Sequence, residues 1–255
     1  MCRLFGLTAG ARRVRATFWL VEAPDSLARQ SRREPDGTGL GTFRPDGTPL
    51  VEKEPVAAYA DPRFAREARE RESPTFLAHV RYASSGALEA RNTHPFEQRG
   101  RLFAHNGVIG DLPALEAELG QHRSLVSGDT DSERFFALVT RHIDANGGDI
   151  GAGIAAAVRW IVDALPVYSL NLVLTTSDEL WALRYPETRC SCCGALPVDR
   201  MVTDISNTRV RRAASARVPV SWPGCPRWWW PASAWTRTRD GGRCGPVNWC
   251  TSTGS

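Results

Sequence analysis

The sequence predicts a fold that mixes α and β structure, α/β or α+β, as one large domain or two small ones. Three observations carry that expectation. At 255 residues the chain falls where one domain and two are both common. Short apolar runs bounded by Gly, Pro, Asp and Asn read as strands. Longer segments with polar caps between those runs read as helices. Composition then breaks near residue 188. Residues 1–188 carry 22 Lys and Arg against 25 Asp and Glu, a net of −3, whereas residues 189–255 carry 10 Arg against 3 Asp, a net of +7. The overall charge of +4 is therefore the sum of two unlike pieces and argues for no nucleic-acid partner. Six of the 7 cysteines lie beyond the same break, leaving Cys2 alone in the body. A lone cysteine there is no disulfide framework; it is a candidate nucleophile. Arginines interrupt the first twenty residues, so neither a signal peptide nor a membrane span is expected, and a cytoplasmic location is.

The elements follow in chain order. Residues 4–8 form an apolar strand with Cys2 at its tip. Once Met1 is removed, the thiol and a free α-amine share one carbon, giving a nucleophile with its own base, because an α-amine titrates at about 7.7 to 8.0. Residues 25–33 read as a helix capped by Asp25. Strands at 40–43 and 50–54 flank a turn at 44–47, and 61–71 is a charged surface helix. Residues 75–82 form a buried strand whose terminal Arg81 needs an anionic partner, since an unpaired guanidinium is costly in an apolar setting. In the Asn92-Thr93-His94-Pro95-Phe96 loop, His94 is expected to pin the backbone by hydrogen bonding. The strand from Arg101 is expected to stop at Asn106-Gly107, a pair suited to a tight turn that would aim an amide and a backbone N–H at one spot. A helix spans 112–119 and ends at Gly120. A second begins after Thr130, which pairs with Glu133 as a capping box, so that Asp131 is either a first-turn carboxylate or a receptor for an ammonium group. A third helix at 149–165 and a hairpin of 169–174 with 179–185 complete the body.

Taken together, and in this order, the N-terminal Cys, His-x-Arg-Tyr-Ala-Ser-Ser-Gly from His79, Asn-Thr-His-Pro-Phe from Asn92, Phe-Ala-His-Asn-Gly from Phe103 and Thr-Asp-Ser-Glu from Thr130 resemble the class II glutamine amidotransferase family. The resemblance covers residues 2–187 and is nearest to short, stand-alone members. It implies an α+β fold, the four-layer αββα sandwich of N-terminal nucleophile hydrolases. It implies that Cys2 attacks the γ-amide of glutamine or of a γ-glutamyl amide with its α-amine as base, and that the Asn106 amide and Gly107 N–H form an oxyanion hole. Arg81 would grip the substrate α-carboxylate and Asp131 the α-ammonium, with Tyr82, Ser84, Ser85 and His94 completing the substrate-binding set. Ser84 and Ser85 stand where the family often has Thr and His. No cofactor and no metal are implied. The expected partners are a protein that accepts ammonia and a second copy in a homodimer. The competing readings are an inactive scaffold subunit and a nucleic-acid or metal-binding module built on the tail.

Residues 188–255 fit no domain. From Arg189 onward there is no Glu, Lys, Phe or Tyr, yet six Cys and six Trp occur. Cys190, Cys192 and Cys193 lack a zinc-ligand spacing. Reading each codon's third base as the first of a new one turns Trp228-Trp229-Trp230-Pro231 into Val-Val-Ala and allows strand-like sequence elsewhere. A change of reading frame near codon 188 is therefore expected, with the domain's last strands lost.

Overall fold

The computed structural model of the chain describes residues 2–83 and 85–186, together with the backbone of five short strands beyond them. Two antiparallel five-stranded sheets lie face to face between two layers of helices. The first sheet has the order β10-β1-β4-β2-β3, from β1 (Arg3–Thr8), β2 (Thr38–Phe43), β3 (Pro49–Glu54), β4 (Thr75–Val80) and β10 (Arg217–Val220). The second has the order β5-β6-β7-β8-β9, from β5 (Phe96–Gln98), β6 (Arg101–Ile109), β7 (Val167–Thr175), β8 (Leu180–Tyr185) and β9 (Arg211–Ala213). Three further strands, β11 (Thr236–Arg237), β12 (Arg243–Gly245) and β13 (Trp249–Cys250), pair among themselves.

Successive side chains of a strand point to opposite faces, so a strand covered on both sides must be apolar at consecutive positions. In β1, Leu4 joins Leu77, Leu102, Val173 and Leu180 between the sheets. Phe5 and Leu7 point the other way, into a layer with Phe64 and Ala68 of α2 (Pro62–Glu70) and Leu27 of α1 (Leu27–Gln30). On the far side, α4 (Asp131–Ala145) and α5 (Ile150–Ala164) cover the second sheet, flanked by α3 (Leu112–Leu119). Phe103 of β6 stacks on Phe136 at 4.7 Å and meets Phe135 edge-on at 5.4 Å. Truncating a buried phenyl ring of this kind costs about 3–5 kcal/mol. The four-layer sandwich is the architecture expected.

Local chemistry moves three boundaries. The first helix begins after Ser26 rather than Asp25, its hydroxyl accepting from the Arg29 N–H at 3.4 Å. It stops at Gln30, where the Ser31 hydroxyl donates to the Ala28 carbonyl at 2.7 Å and competes with the helical ladder. The capping box is half formed: Thr130 accepts from the Glu133 N–H, but the Glu133 carboxylate takes the Gly128 N–H and the Ser127 hydroxyl instead. The strand through Asn106 and Gly107 does not turn there. It pairs with β7 as far as Ile109, and its register shifts only between Val108 and Ile109. Among the described residues no helix is long and apolar enough to cross a membrane.

Candidate active site

Antiparallel pairing sets Arg3 opposite Val80, so Cys2 at the start of β1 faces the residues that follow β4. There its sulfur meets the Tyr82 backbone twice, 3.2 Å from the N–H that donates to it and 3.4 Å from the carbonyl. Burial pushes the thiol above its ordinary value, opposed by the Tyr82 N–H and by the Arg81 charge. A raised pKa keeps the sulfur protonated near neutrality, so attack requires a proton acceptor. The Asn106 amide reaches across from the second sheet and donates to the Cys2 carbonyl at 3.0 Å. An amide nitrogen carries two N–H donors and this contact needs one.

Gly107 is required for a reason other than a turn. A Cβ there would lie 1.8 Å from the Ser169 carbonyl oxygen of β7, so only glycine lets the two strands stay paired beside the site. On the adjacent rung, the Asn171 amide donates to the Asn106 carbonyl at 2.8 Å. The correction is therefore from a turn with left-handed backbone to a flat strand held by close approach.

Arg81 is buried, and its guanidinium donates to the carbonyls of Ser85 at 2.7 Å, Ala87 at 3.1 Å and Gly86 at 3.2 Å. It closes its own loop as well as facing the site. Asp36 lies close enough to hold its charge and accepts from the Ala83 N–H at 2.8 Å. Asp131, also buried, stands at the first turn of α4 with one oxygen accepting from the Ile109 N–H at 3.0 Å. Its other oxygen lies 3.5 Å from the Ser85 and Ser132 hydroxyls. Ser85 therefore serves both charged groups, its carbonyl on Arg81 and its hydroxyl on Asp131. Ser84 lies outside the described residues, as does Met1, whose removal frees the α-amine.

His94 does not pin its loop by hydrogen bonding. Neither ring nitrogen has a partner among the described residues, and the ring lies between the sheets, 4.3 Å from His79 and 4.6 Å from Phe96. Lys53 holds the loop instead, donating to the Thr93 carbonyl at 2.8 Å and the Pro95 carbonyl at 3.3 Å, while the His94 carbonyl presses where a Cβ on Gly39 would come within 2.0 Å. Burial holds both histidines below their ordinary value, His79 at about 3.

Tyr82, expected in the substrate-binding set, contributes its backbone to the sulfur, while its side chain is exposed. Sequence reasoning missed other groups. Glu34 is buried, pairs with Arg3 at 3.3 Å and raises the Cys2 thiol further. Asn171 lies in no motif, and Ser132 lies within Thr-Asp-Ser-Glu without a role that spacing alone assigns. A separate cavity beside α2, lined by Thr38, Glu52, Glu54, Arg63 and Glu67, includes none of the expected site residues. Among the described residues no cluster of three or more His, Cys, Asp and Glu is placed to hold a metal.

The family described as "Glutamine amidotransferases class-II" matches residues 1–193. The Saccharomyces cerevisiae protein described as "Probable glutamine amidotransferase DUG3" is 30% identical over 170 residues, covering 58% of this chain and 47% of that protein. Glutamine–fructose-6-phosphate aminotransferase of Chlamydia caviae is 28% identical over 149 residues, covering 58% of this chain and 23% of the relative. The match thus spans about half or less of these relatives' length. Among solved structures, a class-II glutamine aminotransferase domain protein from Silicibacter pomeroyi superposes with a TM-score of 0.52 at 22% identity, covering 74% of this chain and 79% of that one. An allosteric regulatory enzyme of purine biosynthesis superposes at 0.54 and 18% identity, covering 72% and 37%. At these identities the superpositions speak for the fold. Matched through residue 193, with Cys2 heading a strand of one of two stacked sheets, the chain belongs to the class II glutamine amidotransferases.

Proposed function

We propose that this protein hydrolyses the γ-amide of glutamine with release of ammonia, or a γ-glutamyl amide with its amine leaving in place of ammonia, using Cys2 as nucleophile once Met1 is lost. The observation that carries the reading is that Cys2 lies against Tyr82 and Asn106, next to the loop through which Arg81 and Asp131 are joined by Ser85. The α-amine takes the thiol proton as sulfur adds to the amide carbon. Negative charge on the carbonyl oxygen is met by the Asn106 amide and the Gly107 N–H. The proton then passes to the leaving nitrogen, ammonia or the amine departs, and water hydrolyses the γ-glutamyl thioester to return the free thiol and a carboxylate. Arg81 takes the α-carboxylate and Asp131 the α-ammonium, a pair spaced for an amino acid head group. Tyr82, Ser84, Ser85 and His94 shape the pocket around it.

Ammonia then passes to a partner protein or is simply released, and the domain acts in the cytoplasm as a monomer or a homodimer. Incubating Met1-processed protein with glutamine tests this. The reading expects ammonia release that Cys2→Ala abolishes; no hydrolysis of glutamine or of γ-glutamyl amides would leave an inactive scaffold as the better account.

We further propose that residues 188–255 are translated out of frame. The change in Cys, Trp and Arg content supports this, as does a family match that ends at residue 193. Resequencing around codon 188 decides it, an intact frame removing the proposal.

A further inference from the structure

We propose that Ser132 is a direct ligand of the substrate ammonium group and that His105 is the positioning residue that aims its hydroxyl. The inference deepens the reading of Asp131 as ammonium receptor and rests on it.

Asp131 is served unequally. One oxygen is tied to the Ile109 N–H at 3.0 Å, while the other has only the Ser85 and Ser132 hydroxyls at 3.5 Å, the edge of hydrogen-bond reach. Ser132 has a nearer partner in His105 Nδ1, at 3.0 Å. A hydroxyl has one hydrogen and two lone pairs. With the hydrogen on His105, the lone pairs of Ser132 face the Asp131 oxygen. Two acceptors facing each other across a gap are unfavourable unless a donor lies between them.

A primary ammonium is such a donor, with three N–H groups and no acceptor. The Asp131 oxygen and the two hydroxyls that each lie 3.5 Å from it supply three acceptors. The location makes extra acceptors necessary. Asp131 and Ser132 open α4, and the partial positive charge at a helix N-terminus opposes a cation there.

The arrangement requires His105 to accept at Nδ1 and so to carry its proton on Nε2. The Ser169 carbonyl is the polar group beside Nε2, although the contact falls outside hydrogen-bond geometry. Burial pushes His105 below its ordinary value and keeps the ring neutral, so that Nδ1 can accept. The opposite tautomer would turn the Ser132 hydrogen onto Asp131 and compete with the substrate. The site therefore selects substrates with a free primary α-ammonium, glutamine and γ-glutamyl amides alike.

Ammonia release is measured from L-glutamine and from 4-carbamoylbutanoate, which keeps the amide and carboxylate but lacks the ammonium group. Ser132→Ala is expected to raise KM for glutamine by about 10-fold to 100-fold, the range for one hydrogen bond to a charged group, with kcat little changed and the analogue unaffected. Ser132→Thr restores the hydroxyl and KM. His105→Asn keeps an acceptor near Nδ1 and stays within about threefold of wild type, whereas His105→Phe approaches Ser132→Ala, and the double variant is no worse than Ser132→Ala alone. If His105→Phe does not fold, the two Ser132 variants and His105→Asn still decide. Equal losses on both substrates, or an unchanged KM in Ser132→Ala, overturn the inference while Asp131 stands. A wild-type enzyme that does not distinguish glutamine from the analogue removes the Asp131 reading, and this inference with it.

Discussion

The two ends of the proposed site are built differently. The nucleophile end is carried by paired strands: Cys2 heads β1, and Asn106 and Gly107 sit inside β6, locked to β7 by register and by the Asn171 amide. The amino acid end is carried by a loop and a helix start, where Arg81, Ser85 and Asp131 hold position through side-chain bonds of 2.7 to 3.5 Å. Strand pairing fixes atoms because a slip of one residue turns every side chain to the other face. Side-chain bonds can be retuned one at a time. Substitutions at the first end should therefore act on chemistry or on folding, and at the second on affinity.

The largest effect that would sharpen this contrast is expected for Gly107→Ala. A Cβ 1.8 Å from the Ser169 carbonyl forces β6 and β7 apart, so activity should vanish together with a fall in thermal midpoint. A variant of native stability and full activity would break the strand half of the comparison. Asn106→Ala comes next, with kcat expected to fall about 10²- to 10³-fold at nearly constant KM, as for loss of one oxyanion donor. Arg81→Lys should do the reverse and raise KM by about tenfold or more, since an ammonium cannot replace a fork that serves the Ser85, Gly86 and Ala87 carbonyls together. Loss of kcat alone in that variant would erase the distinction between the two ends.

The smallest effect concerns pH. His79 and His94 lie buried between the sheets, below the amino acid end, with folded pKa values held down, about 3 for His79 against about 6.5 when unfolded. A depressed histidine pKa means that the unfolded chain binds the extra proton. The stability is therefore complete above about pH 6.5 and is lost as pH falls toward 3. Within that window His79 adds about 1.4 kcal/mol per pH unit, and His94 acts in the same direction. His94→Gln should flatten the pH dependence of urea unfolding by about one proton, and an unchanged slope would mean that His94 protonates freely in the folded state.

The same division explains what the sequence disclosed. Apolar runs and caps located the body's strands and helices, because periodicity and turn chemistry are local. The order of motifs singled out Cys2, Arg81, Asn106 and Asp131 as candidates, because each sits in a short signature. What could not be read was anything set by packing across the sandwich. Asn106-Gly107 looks like a turn locally, yet β7 extends the strand through it. His94 looks like a loop residue that pins its backbone, yet its buried ring lies tilted against His79. Asn171 bonds Asn106 from 65 residues away, and Ser132, though inside a short signature, meets His105 from 27 residues away, contacts that no local pattern encodes.

The most direct test of the account is intact-mass analysis of the purified protein after reaction with a glutamine-like electrophile. The account predicts a chain lacking Met1 with a single adduct, mapped to Cys2 and blocked by excess glutamine. A chain that retains Met1, or an adduct that forms equally well in Cys2→Ala, would contradict it.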